Sequence, residues 1–290
     1  MKPAPFEYLA PNDLEAALAA MRQHGYDAKL LAGGQSLIPL LNFRLASPSI
    51  LVDLNPLGDL DFVRPSPGGG LQIGAMTRQS RLGSDPLITE RAPLLHEAIP
   101  FIAHPQIRNR GTLGGTLAHA DPAAELPAIA LALQARLRIR SDVGDRWMEA
   151  KDFFVGLLTT ALEPEEILVE IEIPPPPRRS GWSFLEVSRR HGDYALAGLA
   201  AHIALDEEGR CTEARLAYLS AGDGPLLVTT AVEPLLGQEP NDASLQEVAR
   251  QAAAEEVQPT GDIHASVEFK RHLCRVLTYR ALKTAYGRAI

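Results

Sequence analysis

Leu30-Leu31-Ala32-Gly33-Gly34-Gln35-Ser36-Leu37 is the stretch on which the reading of the fold turns. Lys29–Leu31 reads as a short strand that runs into Gly33-Gly34. Two glycines let the backbone turn sharply and bring its N–H groups close to a ligand. Successive N–H groups that point into one concavity make an anion site suited to phosphate. Ser36 adds a hydroxyl and Gln35 an amide. Taken alone, a tight turn between strands explains the same residues without any ligand.

A second segment, Gln106-Ile107-Arg108-Asn109-Arg110-Gly111-Thr112-Leu113-Gly114-Gly115-Thr116, carries paired glycines flanked by hydroxyls, with basic residues just ahead of them. It reads as the same device repeated, and two such turns suit a diphosphate gripped from two sides. Arg108 or Arg110 either offsets phosphate charge or is simply solvated. Neither segment matches G-x-G-x-x-G with a following acidic residue, nor G-x-x-x-x-G-K-[ST], which argues against dinucleotide-fingerprint and P-loop readings.

Around these segments the chain reads as alternating short elements. Asn12 with Glu15 resembles a capping box, and Leu14, Ala17, Leu18 and Met21 follow at helical spacing. Ile50–Leu54 is a strand, and with Lys29–Leu31 it makes a β-α-β-turn-β opening of roughly sixty residues. Pro65–Gly70 is a turn, Leu71–Ala75 a strand, Thr77 a helix cap, and Leu94–Ile102 a helix that His104-Pro105 ends. After Thr116 comes a long apolar helix to about Gln134, its start left open by Pro127. Arg136–Arg140 and Ile167–Ile173 alternate as strands, with Glu170 and Glu172 opposite the odd-numbered apolar residues. Pro174–Pro177 is a stiff boundary. Beyond it, strands at Ser183–Val187, Ala195–Leu205 and Ala214–Leu219 and helices at Ala243–Ala254 and Ser266–Ala285 suggest an α+β second domain.

The 290 residues carry a formal charge of −8, 46% hydrophobic and 22% charged side chains, which suits a globular protein and argues against a nucleic-acid surface. Cys211 and Cys274 form no C-x-x-C, so the chain alone ligates neither an iron–sulfur cluster nor a cysteine zinc site, and two reduced thiols are expected. None of the eight histidines falls in H-E-x-x-H or another metal-ligand spacing. The start, MKPAPFEYLAP, lacks a signal-peptide apolar run, and no window reaches membrane-helix length. The expectation is a soluble, cytoplasmic protein.

Three stretches, LLAGGQSLIPLLNFRLASPSILVDLN, HPQIRNRGTLGGTLAHADPAAELPA and FLEVSRRHGDYALAG, resemble in content and order the FAD-binding medium subunit of molybdenum hydroxylases, the carbon monoxide dehydrogenase and xanthine dehydrogenase family. The resemblance covers essentially the whole chain. It implies an α+β fold with a vanillyl-alcohol-oxidase-like (PCMH-type) FAD-binding domain of two subdomains and a smaller α+β C-terminal domain. The bounds expected are 1–174, with subdomains of about 1–57 and 58–174, and 178–290.

Carried over by position, the resemblance implies cofactor contacts from Leu30, Leu31, Ala32, Gly33, Gly34, Gln35, Ser36 and Leu37, and from Thr112, Leu113, Gly114, Gly115 and Thr116. Ile102 and Ala103 match positions near the flavin nucleotide, and Leu168 an apolar contact. Glu125 stands where the family usually has Asp, so the carboxylate is kept but lengthened. At Phe184-Leu185-Glu186 some members have a lysine that reaches the flavin; a glutamate facing the ring would disfavour the anionic reduced form. No catalytic or metal-ligating residue is assigned. Arg189, Arg190 and Asp193 order a loop, and Tyr194 lies either against the flavin or in the core. His104, His119 and His191 sit inside the motifs, where a structural hydrogen-bonding role outweighs a flavin contact.

The function implied is a flavin relay. A large partner holds the molybdenum cofactor, a small partner holds two [2Fe–2S] clusters, and this chain passes their electrons to an external acceptor, in a dimer of heterotrimers. Two other readings stand beside it: a self-sufficient flavin oxidase of the vanillyl-alcohol-oxidase type, and a flavin-free structural partner. The substrate and the terminal acceptor are not written in these residues.

Overall fold

The computed structural model describes residues 2–290. The chain opens with β1 (Glu7–Leu9), α1 (Leu14–His24), β2 (Ala28–Leu31), α2 (Leu37–Asn42) and β3 (Ile50–Asp53). The strands form an all-parallel sheet in the order β1-β3-β2. As the central strand, β3 is buried along its whole length: three apolar residues, Ile50 to Val52, as suits a parallel sheet, and then Asp53. Ala17, Leu18 and Met21 of α1 pack on Ala28, Ile50 and Val52. The cap of α1 is Asp13 rather than Asn12: its carboxylate accepts the Ala16 N–H at 2.8 Å. Such a cap contributes about 1 kcal/mol. The apolar run Leu37–Leu41 is helical, with Pro39 in the first turn where no intrahelical N–H is needed.

The middle of the chain contains β4 (Val63–Pro65), β5 (Leu71–Gly74), α3 (Gln79–Leu82), α4 (Pro86–Arg91), α5 (Pro93–Ala98), α6 (Pro105–Arg108), α7 (Leu113–His119) and α8 (Glu125–Ala132). It continues through β6 (Arg136–Ser141), β7 (Gly144–Glu149), α9 (Ala150–Phe153), β8 (Phe154–Gly156), β9 (Thr159–Thr160) and β10 (Ile167–Ile173). Thr77 caps no helix; its hydroxyl bonds the Phe62 carbonyl at 3.0 Å, and α3 begins after Arg78. The long helix expected before Gln134 is two helices. Ala120, left-handed at φ 51°, closes α7, and α8 starts afresh at Glu125 with Pro127 in its first turn.

A five-stranded antiparallel sheet runs β4-β5-β10-β6-β7. Its central strand, β10, serves two cores: Ile167 and Val169 join the opening unit, while Leu168, Ile171 and Ile173 join the core around α5 and α8. Strict alternation would put Leu168 beside Glu170, but a register shift between them turns Leu168 inward. Glu170, only 3% exposed, is held by Arg138 at 3.4 Å and Arg64 at 3.6 Å.

The last part holds β11 (Ser180–Ser188), β12 (Ala195–Leu205), β13 (Cys211–Leu219), β14 (Leu226–Val228), α10 (Asp242–Gln251) and α11 (Val267–Ala289). The strands make an antiparallel meander in sequence order. One face, with Leu199, Ile203, Leu216 and Tyr218, is covered by Leu245, Leu277 and Ala281 of the two helices. The other, with Phe184, Ala200, Ala217 and Leu219, shares a core with α5 and α8. Helix α8 therefore lies between sheets, which is why all eight of its residues are buried. Cys211 and Cys274 are both buried free thiols. Among the described residues no helix is long and apolar enough to cross a membrane.

Candidate functional site

The two glycine segments touch. Gly33 packs so closely on the second segment that a Cβ there would lie 2.3 Å from the Arg110 carbonyl oxygen and 2.8 Å from the Gly111 Cα. Gly34 takes φ +73°, a left-handed turn that carries the chain from β2 into α2. Among the described residues, nothing accepts a hydrogen bond from the N–H groups of Gly33, Gly34, Gln35 or Ser36. Half-buried or exposed, these four successive donors at the end of a parallel strand are open to solvent or to a ligand. The Gln35 amide turns back to the Gly33 carbonyl at 3.0 Å, while the Ser36 side chain is exposed and makes no cap bond.

The second segment works differently. Most of its donors are already used: Leu113 N–H bonds Thr77 O at 3.0 Å, Gly114 N–H bonds Ala75 O at 2.8 Å, and Thr116 N–H bonds Thr112 O at 3.2 Å. The Thr112 hydroxyl caps α7 by accepting the Gly115 N–H at 3.0 Å. A Cβ on Gly114 would sit 2.5 Å from that of Ala75, and one on Gly115 would sit 3.2 Å from that of Ala32. These glycines let α7 seat against β5 and the first turn. The sequence reads both segments as one device, but free donors run in succession only in the first; in the second, only the Thr112 N–H lacks an acceptor among the described residues.

A polar network fastens the two together. The Arg78 guanidinium donates to the Arg110 carbonyl and, at 2.6 Å, to Asn55 Oδ1. Asn55 Nδ2 donates to the Ala32 carbonyl at 2.9 Å, and Asp53 accepts the Asn55 N–H at 2.9 Å. Gln79 Nε2 reaches Thr116 Oγ1 at 2.9 Å. Sequence reading passed over Asn55, Arg78 and Gln79. For Asn55 a signal exists and it is positional, since it stands just past the carboxyl end of the buried parallel strand β3, where open α/β sheets place ligands; Arg78 and Gln79 follow the antiparallel β5 and carry no such signal. Arg108, read as a phosphate neighbour or solvated, does neither. It clamps the carbonyls of Ile102 at 2.7 Å and Ala103 at 3.2 Å, the latter strained at φ +40°.

Of the remaining positions, Leu168 lies on the central strand β10 of the five-stranded sheet, and Glu125 opens α8, which packs on the C-terminal sheet. Ile102 is buried, and His104 beside it stands 6.5 Å from His191, centroid to centroid. Arg189 is held by His264 at 2.8 Å and Asp193 at 3.9 Å, while Arg190 contributes only its carbonyl, which accepts from Ser188 Oγ and the Asp193 N–H. Tyr194 is 74% exposed, which removes the core-packing reading. Its hydroxyl is raised above the usual tyrosine range by local desolvation, then by the charges of Asp121 and Glu125. Glu125, 9% exposed at the start of α8, is pushed up to about 7 by burial, its own N–H opposing and Asp121 adding. Glu186 rises to about 8 by burial first and then Glu125. Leu185 points the other way, into the core under α11. At the far end of the sheet face, Arg215 donates to His202 Nδ1 at 2.9 Å, and burial followed by that charge lowers His202 to about 3.

The geometry is a turn with free backbone donors seated on a second glycine segment. Residues 4–176 match the family model for the FAD binding domain in molybdopterin dehydrogenase, and residues 182–285 match that for the CO dehydrogenase flavoprotein C-terminal domain. The chain is 41% identical to 6-hydroxypseudooxynicotine dehydrogenase complex subunit alpha of Paenarthrobacter nicotinovorans, over 100% of this chain and 97% of that protein. It is 36% identical to the carbon monoxide dehydrogenase medium chain of Hydrogenophaga pseudoflava, over 99% of each. Among solved structures, carbon monoxide dehydrogenase from H. pseudoflava superposes with a TM-score of 0.96 at 37% identity, covering 99% of both chains. Quinoline 2-oxidoreductase from Pseudomonas putida 86 gives 0.93 at 39%, covering 100% of both. The chain belongs to the molybdenum hydroxylase family, as a medium FAD-binding subunit of the carbon monoxide dehydrogenase kind.

The residues present fit FAD. A diphosphate needs close backbone approach and several donors, and the Gly33–Ser36 turn offers both.

Proposed function

We propose that this chain is the flavin relay of a heteromeric molybdenum hydroxylase, receiving electrons from [2Fe–2S] clusters of a small partner and delivering them to an external acceptor. A large partner holds the molybdenum cofactor. The observation that carries the reading is the row of unpaired donors at Gly33–Ser36, seated on the Arg110–Gly115 backbone. It is supported by relatives named as a medium chain and as subunits of a dehydrogenase complex. Flavin supplies the coupling between one-electron donors and a two-electron acceptor.

In this reading the FAD-binding domain spans 1–174, as subdomains of about 1–57 and 58–174, and the C-terminal domain spans 178–290. Gly33, Gly34, Gln35 and Ser36 hold the diphosphate. Thr112–Thr116 set the height of that turn and cap α7. Ile102, Ala103, Leu168, Glu125 and the 189–194 loop bound the space for the rest of the cofactor.

The test is reconstitution. FAD-loaded chain, mixed with its copurified iron–sulfur and molybdenum partners, should have its flavin bleached by the complex's substrate. Without the iron–sulfur partner it should stay oxidised. Substrate turnover by the isolated chain would overturn the relay in favour of a self-sufficient oxidase.

A further inference from the structure

A cleft that shares no residue with the glycine segments lies between the Pro174–Pro177 linker and the C-terminal sheet. We propose that it binds a small aromatic carboxylate, with Arg215 and His202 taking the acid group and Trp182, Leu94 and Leu133 taking the ring. None of these residues is assigned to FAD, and the inference stands independently of that assignment.

The strand register builds the floor. Trp182 pairs with His202 and His202 with Arg215, so the three side chains stand in one row across β11, β12 and β13. The row on one side, Phe184, Ala200 and Ala217, is core. The row on the other side, Ser180, Ala204 and Glu213, leads outward. The opposite wall comes from the α4–α5 junction, from Leu133 at the end of α8, and from the four prolines, which hold it stiff. The cleft offers about 100 Å³. A water needs roughly 10–15 Å³ of such space, so one ring with its acid group fits and a nucleotide does not.

Arg215 supplies the charge. Its Nη1 lies 2.8 Å from Glu213 Oε2 and its Nη2 donates to His202 Nδ1 at 2.9 Å. Its Nε is buried without a partner among the described residues. A guanidinium only donates, so His202 Nδ1 accepts and the ring proton sits on Nε2. His202 is 3% exposed and stays neutral, lowered to about 3 by burial and then by Arg215. Its Nε2–H is therefore a second donor, and no described residue accepts from it. Arg91 also borders the cleft, tied only by Glu90 at 3.6 Å and the Gly69 carbonyl at 3.4 Å. Two cations against Glu213 leave the cleft net positive. An unused N–H on a buried cation is costly, and a carboxylate offers two acceptor oxygens and the compensating charge together. The remaining wall is apolar, which favours a monoanion on an apolar ring over a phosphate or a diacid.

The probe is 4-fluorobenzoate, titrated by fluorine NMR into the FAD-loaded full chain beside its uncharged analogue 4-fluorobenzamide. Wild type should bind the acid saturably at one site, and the amide at least about tenfold more weakly. Arg215→Gln removes the charge and should lower affinity for the acid at least about tenfold. Should that variant fail to fold by circular dichroism, Ser180→Trp decides, since it leaves Arg215 in place and fills the half-buried rim. Ser180→Trp should abolish binding. No saturable binding by wild type, equal affinity for acid and amide, or a folded variant that binds as tightly as wild type overturns the site. The flavin absorption spectrum should stay unchanged through the titration; a perturbed spectrum places the ring at the cofactor and overturns the assignment. The flavin-free chain should give the same affinity, so a chain that takes up no FAD overturns the cofactor reading alone.

Discussion

Ser36 shows how little separates a turn from a binding site. It stands two residues after a left-handed glycine, its side chain is exposed, and it makes no cap bond to the helix it precedes. A serine that stabilises nothing within the fold is free to serve a ligand. Ser36→Ala should therefore leave thermal stability within about 0.5 kcal/mol of wild type. FAD affinity should fall by the worth of one hydrogen bond, about 1 kcal/mol or roughly fivefold; fluorescence titration of the flavin-free chain measures it. The Gly33-Gly34 pair was legible in the sequence because glycine at the end of a strand has a steric meaning on its own. Asn55 and Arg78 were not. Their importance comes from meeting the Ala32 and Arg110 carbonyls across the fold, a contact that no local pattern encodes.

Helix α7 makes the same point for elements. Its residues Thr112-Leu113-Gly114-Gly115-Thr116 look like a second phosphate loop, yet the Thr112 hydroxyl and the Ala75 and Thr77 carbonyls consume the N–H groups that such a loop would offer. Composition cannot separate a glycine that clears room for a ligand from one that clears room for a neighbouring strand. Thr112→Val keeps the volume and removes the cap, and should cost about 1 kcal/mol in urea unfolding. Because Gly115 rests on Ala32, the substitution should also weaken FAD binding several-fold, although the Thr112 hydroxyl is spent on the helix cap. The split of the apolar run into α7 and α8 was hidden for a related reason. Ala120 closes α7 in a left-handed conformation, which alanine does not advertise. By contrast β10 was legible by its alternation, and β11, β12 and β13 as apolar stretches separated by turns.

For the whole molecule, the consequential feature is the face of the C-terminal sheet turned toward α5 and α8. It is apolar at its centre, around Phe184 and Ala200, and carries a titratable group near each end. His202 is lowered to about 3 by burial and Arg215, so it is neutral in the fold. Its contribution is complete above its unfolded value near 6.5 and is lost as pH falls toward 3. Glu125 and Glu186 act in the opposite sense. Raised from 4.5, they bind more protons folded than unfolded, so stability drains away as pH climbs from about 5 through about 8. The melting temperature should accordingly decline on both sides of mildly acidic pH. Glu125→Gln should flatten the alkaline limb and His202→Gln the acid limb, as thermal scans across pH would show. None of this was visible in the sequence, where Glu125 and Glu186 are 61 positions apart (186 − 125). The central claim is that FAD is held at the Gly33–Ser36 turn because that turn sits directly on the Arg110–Gly111 backbone. The most direct measurement is an FAD titration of the flavin-free chain, wild type against Gly33→Ala, with circular dichroism to confirm folding. A methyl group 2.3 Å from the Arg110 oxygen must push the segments apart, so the variant should stay folded and bind FAD at least about tenfold more weakly. A folded Gly33→Ala chain that binds FAD as tightly as wild type would contradict the account.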